Sequence, residues 1–128
     1  VELRVFLVED LQRMRGLLAD LFSSMGGLRV VGSASTEAEA RLWLDEHRNE
    51  WDVVVVDLVL EQGSGMEVIR SSKALPGAGK VVVFSSYATP GVRQHCLELG
   101  AEAVFDKSDT EGFITWLNDI ASRENSGP

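Results

Sequence analysis

An α/β fold, a doubly wound three-layer sandwich of five parallel strands and five helices, is predicted by three features of this 128-residue chain. Strand-like and helix-like segments alternate at regular intervals along it. Val53-Val54-Val55-Val56 is an unbroken β-branched run, suited to a central strand covered on both faces by helices. Polar residues also collect just past the strand-like runs, at Glu9-Asp10, Asp57, Ser85-Ser86 and Lys107. Open α/β sheets bind ligands outside the carboxyl ends of their strands, so this placement points to a site.

The elements follow in order. Leu3 to Val8 reads as a first strand. Met14, Leu17, Leu18, Leu21 and Met25 then recur at helical spacing, and Gly26-Gly27 supply the stop. A second strand spans Leu28 to Ala34. Thr36-Glu37-Ala38-Glu39 has the pattern of a capping box and opens a helix toward Arg48, with Ala40, Trp43, Leu44 and His47 on one face. Trp51 leads into the valine strand. The loop after Asp57 contains Gly63 and Gly65, which allow backbone turns that a Cβ would penalise. A helix from Met66 to about Ala74 follows, closed by Leu75-Pro76-Gly77. Lys80 to Phe84 is the fourth strand. Thr89 and Pro90 suit the N-cap and first position of the next helix, which Gly100 terminates. A fifth strand at Ala103 to Phe105 precedes a second capping box, Ser108 with Glu111. The last helix carries Phe113, Ile114, Leu117, Ile120 and Ala121 on its inner face. The expected domain covers 1–123, and Glu124 to Pro128 form a polar tail or linker.

Composition narrows the function. Hydrophobic residues at 45% and charged residues at 25% match one globular domain with a real core. No apolar run approaches the roughly 18 residues of a membrane span and no basic leader opens the chain, so no membrane contact is expected. A net charge of −8 opposes binding to nucleic-acid phosphates, which needs clustered Lys and Arg. Cys96, the one cysteine, excludes an internal disulfide, is expected as a core filler and agrees with a reducing cytoplasm. His47 has no second residue at metal-ligand spacing and reads as a helix-end residue.

Adjacent carboxylates at a strand end repel one another unless they share a cation. Magnesium meets that need, because it prefers carboxylate, water and substrate phosphate oxygens. Asp57, across the sheet, joins Glu9 and Asp10 in one acidic set. Right-handed crossovers bring Asp10, Asp57, Ser85 and Lys107 to one edge, each at the end of a different strand. A site for a divalent cation and a phosphoryl group accounts for all four.

At these residues the chain resembles the receiver domain of two-component response regulators, in the manner of the chemotaxis regulators, from Leu3 to about Arg123. The likeness rests on Glu9-Asp10, Asp57, Gly65 eight residues later, Ser85 with small Ser86 after it, and Lys107 following Gly100-Ala101. It implies a flavodoxin-like sheet of order 2-1-3-4-5. It also implies that Asp57 takes a phosphoryl group from a sensor histidine kinase, a histidine phosphotransfer protein or a small acyl phosphate. Asp10, Asp57 and the Val59 carbonyl would hold Mg2+, with Glu9 acting through a water. Lys107 would offset charge on the transferring group. Ser85 would bond a phosphoryl oxygen, while Ser86 leaves the approach open and offers its backbone N–H. Phosphorylation would shift the segment starting at Ser85 and the face from Thr89 to Arg123, which meets an output domain or a second copy. The implied role is a signalling phosphoacceptor and not a turnover enzyme.

Three positions depart from the common receiver pattern. Val104 stands three residues before the lysine, where an aromatic residue is usual. Adjacent Phe105 faces the opposite way in a strand and is expected in the core. Ser108 and Glu61 stand where proline is frequent, and without proline a cis Lys107–Ser108 bond costs about 2.5–4 kcal/mol. Other functions fit less well. A flavin binder needs a hydroxyl- and glycine-rich phosphate loop after the first strand, where Glu9-Asp10-Leu11-Gln12 repels phosphate. A phosphohydrolase with an aspartyl nucleophile carries a second carboxylate two residues on, where Val59 stands. The remaining alternative is an interaction module that keeps the fold without phosphorylation, and the four key side chains weigh against it.

Overall fold

Five strands and five helices alternate strictly in the computed structural model, which describes residues 2–125, with side chains through Arg123. They are β1 Leu3–Val8, α1 Gln12–Met25, β2 Leu28–Ala34, α2 Glu37–Glu46, β3 Val53–Val56, α3 Gly65–Lys73, β4 Lys80–Ser85, α4 Pro90–Leu99, β5 Ala103–Asp106 and α5 Thr110–Asn125. Every pairing is parallel and the order is β2-β1-β3-β4-β5, the expected doubly wound sheet. The valine strand is central, with Val53–Val56 paired to Val5–Val8 on one side and Lys80–Val83 on the other. Its side chains alternate between two cores. Val54 and Val56 pack with Ala40 and Leu44 of α2, Val68 and Ile69 of α3 and Cys96 of α4. Val53 and Val55 pack with Leu18 and Phe22 of α1 and with Phe113, Leu117 and Ile120 of α5. All four valines are buried, as a strand covered on both faces requires.

Several expected details are corrected. Leu17 is 56% exposed, and Phe22, at 1%, takes the buried place on α1. The stripe runs 14, 18, 21, 22, 25, and Leu17 sits about 100° round the helix from Leu18. Helix α2 stops at Glu46, short of Arg48: the His47 N–H closes the last turn on the Trp43 carbonyl at 2.9 Å, but the His47 backbone itself leaves the helical region at φ −124° and ψ 42°. His47 is the expected helix-end residue, with its ring stacked on Trp43, which stacks in turn on Phe6. Half of the first capping box forms as expected, since Thr36 Oγ1 accepts from the Glu39 N–H at 3.2 Å. Glu39 itself accepts from the Ser35 and Thr36 hydroxyls. Ser108 does not cap α5. Asp109 does, its Oδ1 accepting from the Gly112 N–H at 3.0 Å, while the Ser108 N–H is taken by Asp106 Oδ1 at 2.9 Å. Helix α5 runs to Asn125, two residues into the expected tail, and 126–128 lie outside the described residues. No described helix is long and apolar enough to cross a membrane.

At the amino end of the sheet Arg4 of β1 grips Asp52, just before β3. Nε and Nη2 donate to the two carboxylate oxygens at 3.1 Å each, and the Arg4 backbone N–H donates to Oδ2 at 2.7 Å. Burial alone would raise the Asp52 carboxyl, but the Arg4 hydrogen bonds and charge outweigh it and hold the group below its ordinary value.

The packing and the Arg4–Asp52 pair set three expectations for stability. Phe113 is fully buried and stacked on Phe84 with centroids 4.2 Å apart, so Phe113→Ala is expected to lower stability by about 3–5 kcal/mol in urea denaturation. Leu17→Ala is expected to stay within about 0.5 kcal/mol of the parent. A depressed carboxyl contributes stability above its unfolded-state value, and that contribution is lost as pH falls through the folded-state value. Asp52→Asn is therefore expected to cost about 1 kcal/mol at neutral pH for this partly exposed pair. The difference closes on acidification below the ordinary aspartate range, as read from melts across pH.

Candidate functional site

The sheet ladder continues one residue past three strands and thereby fixes three site residues. The Glu9 N–H donates to the Ala34 carbonyl at 3.0 Å, the Asp57 N–H to Val8 at 3.0 Å, and the Lys107 N–H to Ser85 at 3.1 Å. Their side chains converge at the carboxyl edge. Lys107 Nζ donates to Glu9 Oε1 at 2.8 Å and to Asp57 Oδ2 at 2.9 Å. Carboxylate oxygens of Glu9, Asp10 and Asp57 all lie within 4.8 Å of one another. Glu9 is 2% exposed and Asp57 7%, so the cluster sits largely out of water. Among the described residues, no buried side-chain polar atom lacks a hydrogen-bond partner.

Burial is the largest influence on Glu9 and raises its carboxyl above the ordinary value; hydrogen bonds from Lys107 and from the Leu11 N–H at 3.2 Å offset this only in part. For Lys107, burial acts to lower the ammonium, but hydrogen bonds and charge from Glu9 and Asp57 win and raise it. Lys107 pairs with two of the three carboxylates, Glu9 and Asp57. The surplus negative charge and the all-oxygen donor set fit a hard divalent cation.

The loop after Asp57 is tightly folded. The Val59 N–H donates to Asp57 Oδ1 at 3.4 Å, Val59 faces Ser64 in a short antiparallel bridge, and the Gly65 N–H donates to the Leu58 carbonyl at 3.1 Å. A Cβ on Gly65 would collide with the Asp57 carbonyl oxygen, so glycine serves close approach there and not the expected turn. Asp10, Leu11, Asp57, Val59, Ser86, Tyr87 and Lys107 line a hollow of about 240 Å³ over the cluster. A larger hollow of about 370 Å³ lies at the opposite end of the sheet around Arg4, Asp52 and Lys80, away from the acidic set.

Glu9, Asp10, Asp57 and Lys107 are thus brought together as expected, with Val59 and Ser86 on the rim. Ser85 ends β4 fully buried, and its Oγ accepts from the Tyr87 N–H at 3.3 Å. Val104 lies in the core beneath α4, while Phe105 packs on the other face against Phe113 at 6.0 Å. No cis peptide bond occurs among the described residues, so Lys107–Ser108 is trans. Sequence reading missed Arg15, whose Nη1 donates to the Glu9 carbonyl at 2.6 Å and steadies the acidic turn. Its six-residue separation from Glu9 carries no pattern that marks it.

The chain is an α/β domain of the doubly wound class with a buried acid-and-lysine cluster on the carboxyl edge of its sheet. The family description "Response regulator receiver domain" matches residues 5–115, and the chain belongs to that family. It is 34% identical over 102 residues to a protein-glutamate methylesterase/protein-glutamine glutaminase of Treponema denticola, covering 78% of this chain and 27% of that protein. The response regulator domain of Thermotoga maritima CheB superposes with a TM-score of 0.82 over the whole of both chains at 24% identity. A chain from the complex of the CheA3 P1 domain with CheY6 of R. sphaeroides is 29% identical, with a TM-score of 0.68 over 82% of this chain and 81% of that one.

Because burial raises the Glu9 carboxyl, ionising it costs folding free energy; the penalty is absent at low pH and appears as pH rises through the folded-state value. Glu9→Gln is therefore expected to stabilise the metal-free protein at neutral pH, by roughly 0.5–2 kcal/mol. In EDTA-treated samples the gain should vanish below the ordinary glutamate range of about 4.

Proposed function

We propose that this receiver domain accepts a phosphoryl group on Asp57 from a phosphohistidine of a sensor histidine kinase or histidine phosphotransfer protein, and passes the signal on as a change of shape. The observation that carries the reading is the largely buried Asp57 carboxylate, hydrogen-bonded to Lys107 inside the acidic cluster. An Asp57 oxygen attacks phosphorus, the new P–O bond forms, and the P–N bond breaks with its electron pair leaving on the donor imidazole. Lys107, already on the carboxylate, is placed to follow charge onto the phosphoryl oxygens, which suits a loose transition state needing positioning more than covalent help. Asp10, Asp57 and the Val59 carbonyl would hold Mg2+, with Glu9 acting through a water. The bound ion supplies charge neutralisation and orientation of phosphoryl oxygens.

Ser85 bonds a phosphoryl oxygen after transfer by donating its O–H, a role separate from the lone pair that accepts from the Tyr87 N–H. Small Ser86 keeps the approach open and offers its backbone N–H. The switching segment starts at Ser85, and the surface from α4 to α5, residues 89–123, presents the change to an output domain or a second copy. The T. denticola relative extends far beyond the matched part, which supports an output domain outside this chain. The P1–CheY6 complex supports a phosphotransfer domain as partner. In this reading 1–123 is the functional unit, works in the cytoplasm, and makes no direct contact with nucleic acid.

The test is intact-mass measurement after incubation with Mg2+ and acetyl phosphate. One added phosphoryl group is expected on the parent and none on Asp57→Asn. Folded protein that stays unmodified, and does not bind beryllofluoride with Mg2+ present, would sink the phosphoacceptor reading and favour the phosphorylation-independent interaction module. Fast turnover of a small phosphate ester would favour a hydrolase.

A further inference from the structure

Helix α2 contributes no residue to the acidic cluster, yet its first turn is tied to the loop that carries Val59. The Glu37 N–H donates to the Gln62 carbonyl at 3.0 Å, and Glu37 Oε1 accepts from the Ser64 N–H at 3.0 Å. Two backbone groups of the β3–α3 loop are therefore held by one residue, 27 positions upstream of Ser64. The approach is close enough that Gly63 has no room for a side chain. A Cβ there would collide with the Glu37 side chain, and its φ of 87° lies in the left-handed region that also favours glycine. Glu37 is itself steadied by Arg41 Nη1, 3.4 Å from Oε2, one helical turn on.

Ser64 is the residue that faces Val59 across the loop bridge. The connection runs from the Glu37 carboxylate to the Ser64 amide, across the bridge to Val59, and so to the rim of the hollow over Asp57. Groups that do not touch a metal but orient its ligands tune affinity strongly, and a backbone carbonyl ligand can be aimed only by holding its loop.

We propose that Glu37 is a positioning residue for the divalent-cation site, acting through Ser64 to hold the Val59 carbonyl in place. The proposal rests on the reading of the acidic cluster as a Mg2+ site. It makes α2 a second support of that site, packed in the other core from α1, whose Arg15 braces the Glu9 turn.

The experiment is calorimetric titration of Mg2+ into the parent chain, Glu37→Ala and Glu37→Gln, with amide hydrogen exchange on the metal-free proteins. Glu37→Ala removes the acceptor and is expected to weaken Mg2+ binding by about tenfold, the lower end of what such outer partners contribute. It should also speed exchange at Ser64. Glu37→Gln keeps an oxygen that can accept from Ser64 while losing the charge, and is expected to restore most of the affinity and the protection. If Glu37→Gln falls with Glu37→Ala in Mg2+ affinity, the effect is long-range charge and the positioning role is overturned. Unchanged affinity in Glu37→Ala, with the parent binding Mg2+ normally, overturns it alone. A parent that binds no Mg2+ while Glu37→Ala still loses protection at Ser64 overturns the metal-site reading and this role with it.

Discussion

Like charges crowded at the edge of an apolar sheet need a counter-charge held in register with them, and here that constraint falls on Lys107. It is the basic residue that both Glu9 and Asp57 meet, and neither carboxylate has water enough to do without it. The sheet order makes the reach demanding. β5 stands two strands from β3, about 10 Å at the usual strand spacing, and three from β1. A lysine stem, a carboxylate side chain and a hydrogen bond together can close the first gap over the end of β4. The longer span to β1 is met by a glutamate, one methylene longer than the aspartate at 57. Ser85, which ends β4, and Ser86 just past it are small residues that leave room for that stem.

The rest of the fold can be understood as what keeps four strand ends in place under this load. A charged cluster contributes no apolar burial, so rigidity comes from the layers beneath it. The four β3 valines divide between two separate cores, and each core is closed by helices from its own side. The backbone ladder then carries that rigidity one residue past the strands, into the peptides of Glu9, Asp57 and Lys107. Side chains added to a rigid edge in this way lose little further entropy on meeting a ligand. Burial above all raises the Glu9 carboxyl, and a dication beside it would favour the ionised form.

Much of this was legible in the sequence because period and composition are local signals. Alternating runs mark the strands, the valine run marks the central one, and the order of Glu9-Asp10, Asp57, Ser85 and Lys107 marks the edge. What escaped reading depends on rotation or distance. Leu17 and Phe22 are both apolar, and only the angle at which α1 meets the sheet selects between them. Ser108 and Asp109 are both good caps one residue apart. Asp109 caps because α5 begins at Thr110, while the Ser108 amide goes to Asp106, a bond that proline at 108 could not make. The reason for Gly65 is a collision with the carbonyl of Asp57, which no window of sequence displays. Arg15 and Glu37 act through backbone groups brought near only by the tertiary fold.

With valine at 104, a signal leaving the site has no aromatic ring there to carry it. Ser85 Oγ accepts from the Tyr87 N–H, and a phosphoryl oxygen on Asp57 would draw the hydroxyl toward itself as a donor. Val104 is fully enclosed in the core and has no ring to swing into vacated space. The connections left to carry a displacement of Ser85 are therefore backbone ones. Its carbonyl receives the Lys107 N–H, and it stands opposite Asp106 in the β4–β5 ladder. On β5, the Val104 carbonyl is bonded by Arg93 of α4 at 2.5 Å. Movement at Ser85 would thus load β5 and α4 together through peptide hydrogen bonds. Complete inversion of a two-state equilibrium from 1:99 to 99:1 takes about 5.5 kcal/mol of preferential binding, more than one rearranged hydroxyl and its neighbours supply. On the proposed reading, coupling of this kind would give graded shifts in population, with a partner on the α4–α5 face supplying the remaining bias.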